Sequence, residues 1–162
     1  FDVMIDEMDK VLTKYKTDIE KNNLSIHKLL TLASITQSEG VNKEDFKTIA
    51  SVFINRLNDN MPLGSCVTSY YGVKKSMEEE LSLSDIDDDN PYNTRGDNPK
   101  LISVGPISNP GKDAIEAVLR PIKTDYYYFV SDKNNKVYFT KTFEEHEKTI
   151  SKLQDEGLWL EW

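Results

Sequence analysis

Cysteine and histidine are nearly absent from this chain, with one Cys and two His among 162 residues. A single cysteine, Cys66, excludes an intrachain disulfide. With so few thiol and imidazole ligands, a closed structural zinc site is not expected. No metal and no cofactor is implied. No run approaches the ~18 apolar residues of a membrane span, and no signal peptide is visible. Positive charge is also short. The 20 Lys and Arg stand against 28 Asp and Glu, a net charge of −8. That argues against nucleic acid, or an anionic membrane surface, bound through a broad basic face. A neutral or mixed-charge polymer stays open as a substrate. The chain starts at Phe1 without an initiator Met, which gives the expectation of an excised domain.

What is present suits one globular domain. Hydrophobic residues make up 38% and charged residues 30%, enough for a core and too apolar for disorder. There is no internal repeat and no long linker. Residues 1–24 read as an amphipathic lead-in helix, with Met4, Met8, Val11, Leu12, Tyr15 and Ile19 on one stripe. Asn22-Asn23 interrupts it. Ser25 is the expected N-cap of the next helix, with Leu24 and Leu29 as a hydrophobic staple. Ile26, Leu29, Leu30 and Ala33 form its apolar face. Leu32 and Ile35 extend it, and Glu39 falls on their row. Gly40 is the expected C′ residue. A third helix is expected from an Asn42 cap, with Asp45 at N3 and an apolar face from Phe46 to Leu57.

Residues 59–105 read as a long irregular segment with two short helical turns, and segments of this kind are usually functional or disordered. The acidic run Asp85 to Asp89 reads as a solvated loop. Asn109-Pro110 is expected to open a helix with Pro at N1, ending before Pro121. Tyr126 to Val130 and Val137 to Thr140 form an expected β-hairpin around a turn at Asp132 to Asn135. Thr142 and Glu145 make a capping box for the last helix. The domain is expected over 25–157 and the apolar tail over 158–162. The predicted class is α+β: a helix-rich single domain with a small antiparallel hairpin and a long loop-built groove.

Two Pro-, Asn- and Gly-rich runs bear on chemistry, Asn90-Pro91-Tyr92-Asn93-Thr94 and Gly105-Pro106-Ile107-Ser108-Asn109-Pro110-Gly111. Such runs set backbone angles and present polar groups from fixed loops. Glu39, at the edge of an apolar face, is the leading catalytic candidate. Desolvation raises a carboxyl pKa and keeps a general acid protonated near neutral pH. The bland alternative is a helix-end carboxylate in water or paired with a Lys. Tyr92 and Asn93 either line a groove or form a self-capping turn. Tyr71 either stacks on a sugar or belongs to the core. His146 is read as packing or hydrogen bonding rather than donating a proton, and His27 as exposed. A cysteine-hydrolase role for Cys66 finds no neighbouring His to support it.

The run Leu32-Ala33-Ser34-Ile35-Thr36-Gln37-Ser38-Glu39 resembles the helix of the endolytic murein transglycosylases, the YceG-like (MltG) family. Further similar pieces follow in the same order. They are Val52 to Leu57, Met61-Pro62-Leu63, Thr68, Tyr71-Gly72, Pro91 to Thr94 and Gly105 to Gly111. Then come Ala117, Pro121, Thr124-Asp125-Tyr126, Tyr128-Phe129-Val130, Phe139 and His146. The resemblance covers residues 28–150. It implies cleavage of peptidoglycan strands between N-acetylmuramic acid and N-acetylglucosamine, with the muramic 6-hydroxyl attacking its own anomeric carbon to leave a 1,6-anhydro end. It implies Glu39 as the catalytic glutamate. It implies substrate contacts from Gln37, Ser65, Thr68, Tyr71, Tyr92, Asn93, Thr94, Gly105 and Pro106.

It implies also an extracytoplasmic domain of a single-pass membrane protein, acting outside the cytoplasmic membrane without its anchor in this chain. Cell-wall elongation or division proteins are the implied partners. Three departures stand out. Gln37 lies where many members carry a second glutamate, and Cys66 lies where they carry an aspartate. Gly96 to Val104 also differs from the usual approach to the Gly-Pro-Ile loop. If that aspartate orients substrate or the glutamate, Cys66 implies a slow, altered or inactive enzyme. A non-catalytic glycan-binding scaffold is therefore the alternative reading. A hydrolytic muramidase is a third, and it would need a second carboxylate from Asp85 to Asp89, Asp97 or Glu44.

Overall fold

The computed structural model describes residues 2–159. The side chain of Met4, and Leu160, Glu161 and Trp162 of the expected tail, lie outside the described residues. The chain runs through α1 (Asp2–Lys14), α2 (Lys16–Lys21), α3 (Ile26–Glu39), α4 (Phe46–Asn58), α5 (Cys66–Val73), α6 (Leu83–Ile86) and α7 (Lys112–Leu119). Then come β1 (Tyr128–Ser131), β2 (Val137–Thr140) and α8 (Phe143–Asp155). This is the predicted helix-rich domain with a small antiparallel hairpin. Among the described residues, no helix is long and apolar enough to cross a membrane.

Helices α3, α4 and α7 enclose the core. Leu29, Leu32, Ala33 and Ile35 meet Phe46, Ile49, Ala50 and Phe53, and both sets meet Ala114, Ile115, Ala117 and Val118. Alanines at the contacts let the helix axes approach closely, and each large side chain removed from water contributes about 1.5–3 kcal/mol. The lead-in helix breaks at Tyr15, earlier than expected. Tyr15 is buried, and its hydroxyl donates to Glu116 Oε2 at 2.5 Å, so it pins the lead-in segment to α7. The bond to that carboxylate, with burial second, pushes the phenol up to about 12, and it stays a neutral donor at any physiological pH.

Local signals set several boundaries as expected. Ser25 Oγ accepts from Lys28 N and caps α3. Thr142 and Glu145 form the capping box of α8. The hairpin forms, with its first strand shifted to Tyr128–Ser131 from the expected Tyr126 to Val130, and pairs Phe129 with Phe139 and Val130 with Tyr138. Its turn is closed by buried Asp132, which accepts from Asn134 N and Lys136 N, with Asn135 at φ +62°. The visible start of the tail folds back, Leu158 N donating to Leu153 O while Leu158 O accepts from Lys133 N.

Four boundary expectations are corrected. Asn42 does not cap α4. Its residues 42–45 form a turn, and Asp45 precedes the helix without a side-chain cap. Pro110 is not N1 of α7, because the helix starts after Gly111, whose N–H is taken by Gln37. Ile26 is exposed rather than on the apolar face. Gly40 is not left-handed (φ −88°), and its lack of a side chain serves a close approach instead. A Cβ there would lie 2.6 Å from the Phe46 ring and 3.2 Å from Ile49 Cδ1. Gly40→Ala is therefore expected to destabilise the fold by about 1–3 kcal/mol. Urea denaturation tests this, and an unchanged midpoint would mean that Phe46 yields freely.

The acidic run is also more ordered than expected. Asp85 completes a capping box with Ser82 and pairs with Lys75 at 2.5 Å. These donors hold its carboxyl down to about 2.

Candidate functional site

Glu39 ends α3 on the row of Leu32 and Ile35, both buried. Its carboxylate reaches the start of α5. Ser65, the residue before that helix, donates its hydroxyl to Glu39 Oε1, and the Val67 backbone N–H lies close enough to favour the charged carboxylate. The α5 N-terminus thus faces Glu39 with its unpaired donors. Burial dominates all of this and holds the Glu39 pKa above its usual value. Ser65, Arg95, the Val67 N–H and Arg56 act in the opposite direction and soften the rise.

Two anchors fix the loop bearing Ser65. Arg56, at the end of α4, donates Nη1 to Leu63 O at 2.6 Å and Nε to Tyr127 O at 2.6 Å. Asn55 beside it donates to the carbonyls of Thr124 and Tyr126. Gly64 allows the turn at φ +62°, and a Cβ there would lie 2.6 Å from Arg56 Nη1. On the other side, Thr94 takes Ser65 N on its hydroxyl at 3.0 Å and shares a hydrogen bond with Thr68 Oγ1 at 2.8 Å.

The predicted site residues thus fall into three groups. Ser65, Thr68 and Thr94 form one buried network beside Glu39. Asn93 is only 2% exposed and turns inward. It accepts from Ser69 Oγ and donates to the carbonyls of Ile86 and Asp88. It holds its loop and does not line a groove. Tyr71 is 45% exposed and leans on Tyr92, ring centroids 4.7 Å apart, so this pair forms an accessible aromatic face. Gln37, on α3, and the loop of Gly105 and Pro106 meet at a separate place. Gln37 Oε1 accepts from Gly111 N at 2.8 Å, and Ser34 Oγ accepts from Ile107 N at 3.0 Å. Among the described residues no hydrogen bond links the 105–111 loop to Glu39.

Arg56 and Arg95 were missed as site residues. Arg95 directly follows the Pro-Tyr-Asn-Thr run, and that adjacency was the available signal. Arg95 donates Nη1 to Cys66 Sγ. Burial pushes the Cys66 thiol up, and it is neutral at pH 7. His146 packs as expected, stacking on Tyr128 at 5.4 Å. Burial and the two arginines lower its pKa, leaving it neutral. His27 is exposed, as expected, and its Nε2 lies 2.8 Å from Val104 O.

The sequence matches the YceG-like family model over residues 1–152. The chain belongs to the YceG-like family. It is 42% identical over 149 residues to an endolytic murein transglycosylase of Bacillus subtilis (strain 168), spanning 92% of this chain and 41% of that relative. The endolytic murein transglycosylase of Streptococcus pneumoniae (strain D39) is 39% identical over 156 residues, 93% of this chain and 28% of the relative. The fold matches the crystal structure of a YceG-like protein from Listeria monocytogenes with a TM-score of 0.82 at 40% identity, covering 90% of this chain and 47% of that one. This YceG-like chain therefore spans under half the length of these relatives.

Proposed function

We propose that this chain is the strand-cleaving domain of an endolytic murein transglycosylase, acting on peptidoglycan outside the cytoplasmic membrane. The observation that carries the reading is a single, partly buried carboxyl group, Glu39, with a raised pKa, the Ser65 hydroxyl bound to it and the start of α5 beside it. A raised pKa favours the protonated form, which can donate to the glycosidic oxygen between muramic acid and glucosamine. That bond then breaks. The carboxylate left behind is stabilised by Ser65, Val67 N–H and the nearby arginines. It takes the proton of the muramic 6-hydroxyl as O6 bonds to C1, giving the 1,6-anhydro end. The nucleophile is tethered to the substrate, which supplies a large effective molarity. No second carboxylate is then needed, whereas glycoside hydrolysis places one ~5 Å or ~6.5–9.5 Å away.

The options for such a second group favour the single-carboxylate reading. Asp85 and Asp89 are paired with Lys75 and Lys100, and Asp87, Asp88, Asp97 and Glu44 are exposed. In this reading Tyr71 and Tyr92 offer an apolar face to a sugar ring. Thr68, Asn93 and Thr94 hold the wall that carries Ser65. Gln37, Gly105 and Pro106 shape the far side of α3. Cell-wall elongation or division proteins are the partners this family membership suggests.

The test is mass spectrometry of uncrosslinked glycan strands after incubation with the domain. Internal cleavage with anhydro-muramic ends is expected. Reducing ends derived from water would overturn the intramolecular route. Strands that bind and stay whole would instead favour a glycan-binding scaffold, the role that Cys66 in place of an aspartate suggests.

A further inference from the structure

We propose that Arg95 recognises a carboxylate that the glycan strand carries beside the bond to be cut, making it a specificity residue. This rests on the transglycosylase reading of the site. Its basis is an unspent cation beside Glu39. A guanidinium has five donors in a planar fork suited to a carboxylate. The two arginines near Glu39 are used very differently. Arg56 is committed to the fold, bonding the carbonyls of Tyr127, Leu63 and Pro62 and lying over the Tyr128 ring at 5.0 Å. Arg95 has one side-chain acceptor among the described residues, the Cys66 sulfur. That acceptor is a neutral thiol and a weak one. Among the described residues Arg95 forms no ion pair.

The charge of the surroundings points the same way. The chain as a whole carries −8, yet this site holds two guanidinium groups and one carboxyl that burial keeps toward its neutral form. A cationic spot on an acidic protein selects an anion locally while the rest of the surface repels polyanions. The anion must come from the strand. Muramic acid supplies it in two forms, the lactyl carboxylate of a peptide-stripped strand or the carboxylates of a stem peptide. Arg95 also sits on the rigid Asn93–Thr94 loop, its own N–H bound to Asn93 Oδ1 at 3.1 Å, so its backbone is preorganised.

Binding measured by calorimetry on the Glu39→Gln protein, which prevents turnover, tests this with three probes. They are stripped strands, strands with intact stems, and strands whose carboxyl groups are all amidated. Carboxylate-bearing strands are expected to bind about tenfold more tightly than amidated ones. Arg95→Gln should erase that difference and leave amidated strands unaffected. Cys66→Asp should do the same by giving Arg95 an internal partner. The tighter of the two carboxylate probes identifies the source. Equal affinity for amidated strands, or a preference that survives Arg95→Gln, overturns the proposal. The amidation comparison needs no Arg95 variant, so misfolding of one leaves the proposal falsifiable. Failure of every strand to bind would overturn the transglycosylase reading itself, whereas binding without carboxylate preference overturns only the role of Arg95.

Discussion

Glu39→Gln is expected to lower strand cleavage by about a hundred- to ten-thousand-fold, the usual contribution of a positioned acid–base group. The amide keeps the shape of the side chain and can still accept from Ser65, so the loss would be chemical. Two further consequences follow from the raised pKa. The protonated form is the acid, so activity holds below the folded-state pKa of Glu39 and falls as pH rises through it. The stability effect has the same direction. A carboxyl whose folded pKa is raised contributes fully below the unfolded value, and that contribution is lost as pH rises through the folded value. Replacing Glu39 by Gln removes that loss. The variant should therefore melt higher than the native protein at neutral pH and equally in acid. Anhydro-muramic product by mass spectrometry and melting curves at both pH values check this. Near-native turnover by the variant would place the acid elsewhere, and an equal or lower melting point at neutral pH would remove the desolvation argument.

Phe53→Ala is expected to cost about 3–5 kcal/mol through lost burial and the cavity left behind. That corresponds to a melting point lower by roughly 6–20 °C for a domain of this size. Phe53 is 1% exposed, lies within the α3–α4–α7 core and meets Phe129 of the hairpin edge to face at 5.8 Å. It therefore ties the sheet to the helices. Arg56, just beyond it, clamps the loop that carries Ser65, so loosening α4 should also impair the site. Denaturant unfolding and strand cleavage measured below the transition would show both effects. A loss under about 1 kcal/mol would mean that the hairpin packs independently of α4.

Sequence alone determined the elements whose signals lie within a few residues of each other. The Ser25 cap and the buried row ending in Glu39 are of this kind, as are the Asp132 turn between two strands and the Thr142–Glu145 capping box. Each is a local hydrogen bond or a local period, and each was legible. Where a local signal had a distant competitor, it failed. Gln37 takes the Gly111 N–H and helps set the start of α7, and the Phe46 ring decides why residue 40 is glycine.

The site belongs almost wholly to this second kind. Ser65 reaches Glu39 across 26 residues of sequence, Thr94 reaches Ser65 across 29, and Arg95 reaches Cys66 across 29. Asn93 reads as a groove residue from composition but turns inward, because its amide closes four bonds that its own loop leaves open. Sequence supplied the candidate carboxyl, Glu39, and its apolar row. Tertiary packing decided what surrounds it, because desolvation and charge act through space between segments that are far apart along the chain.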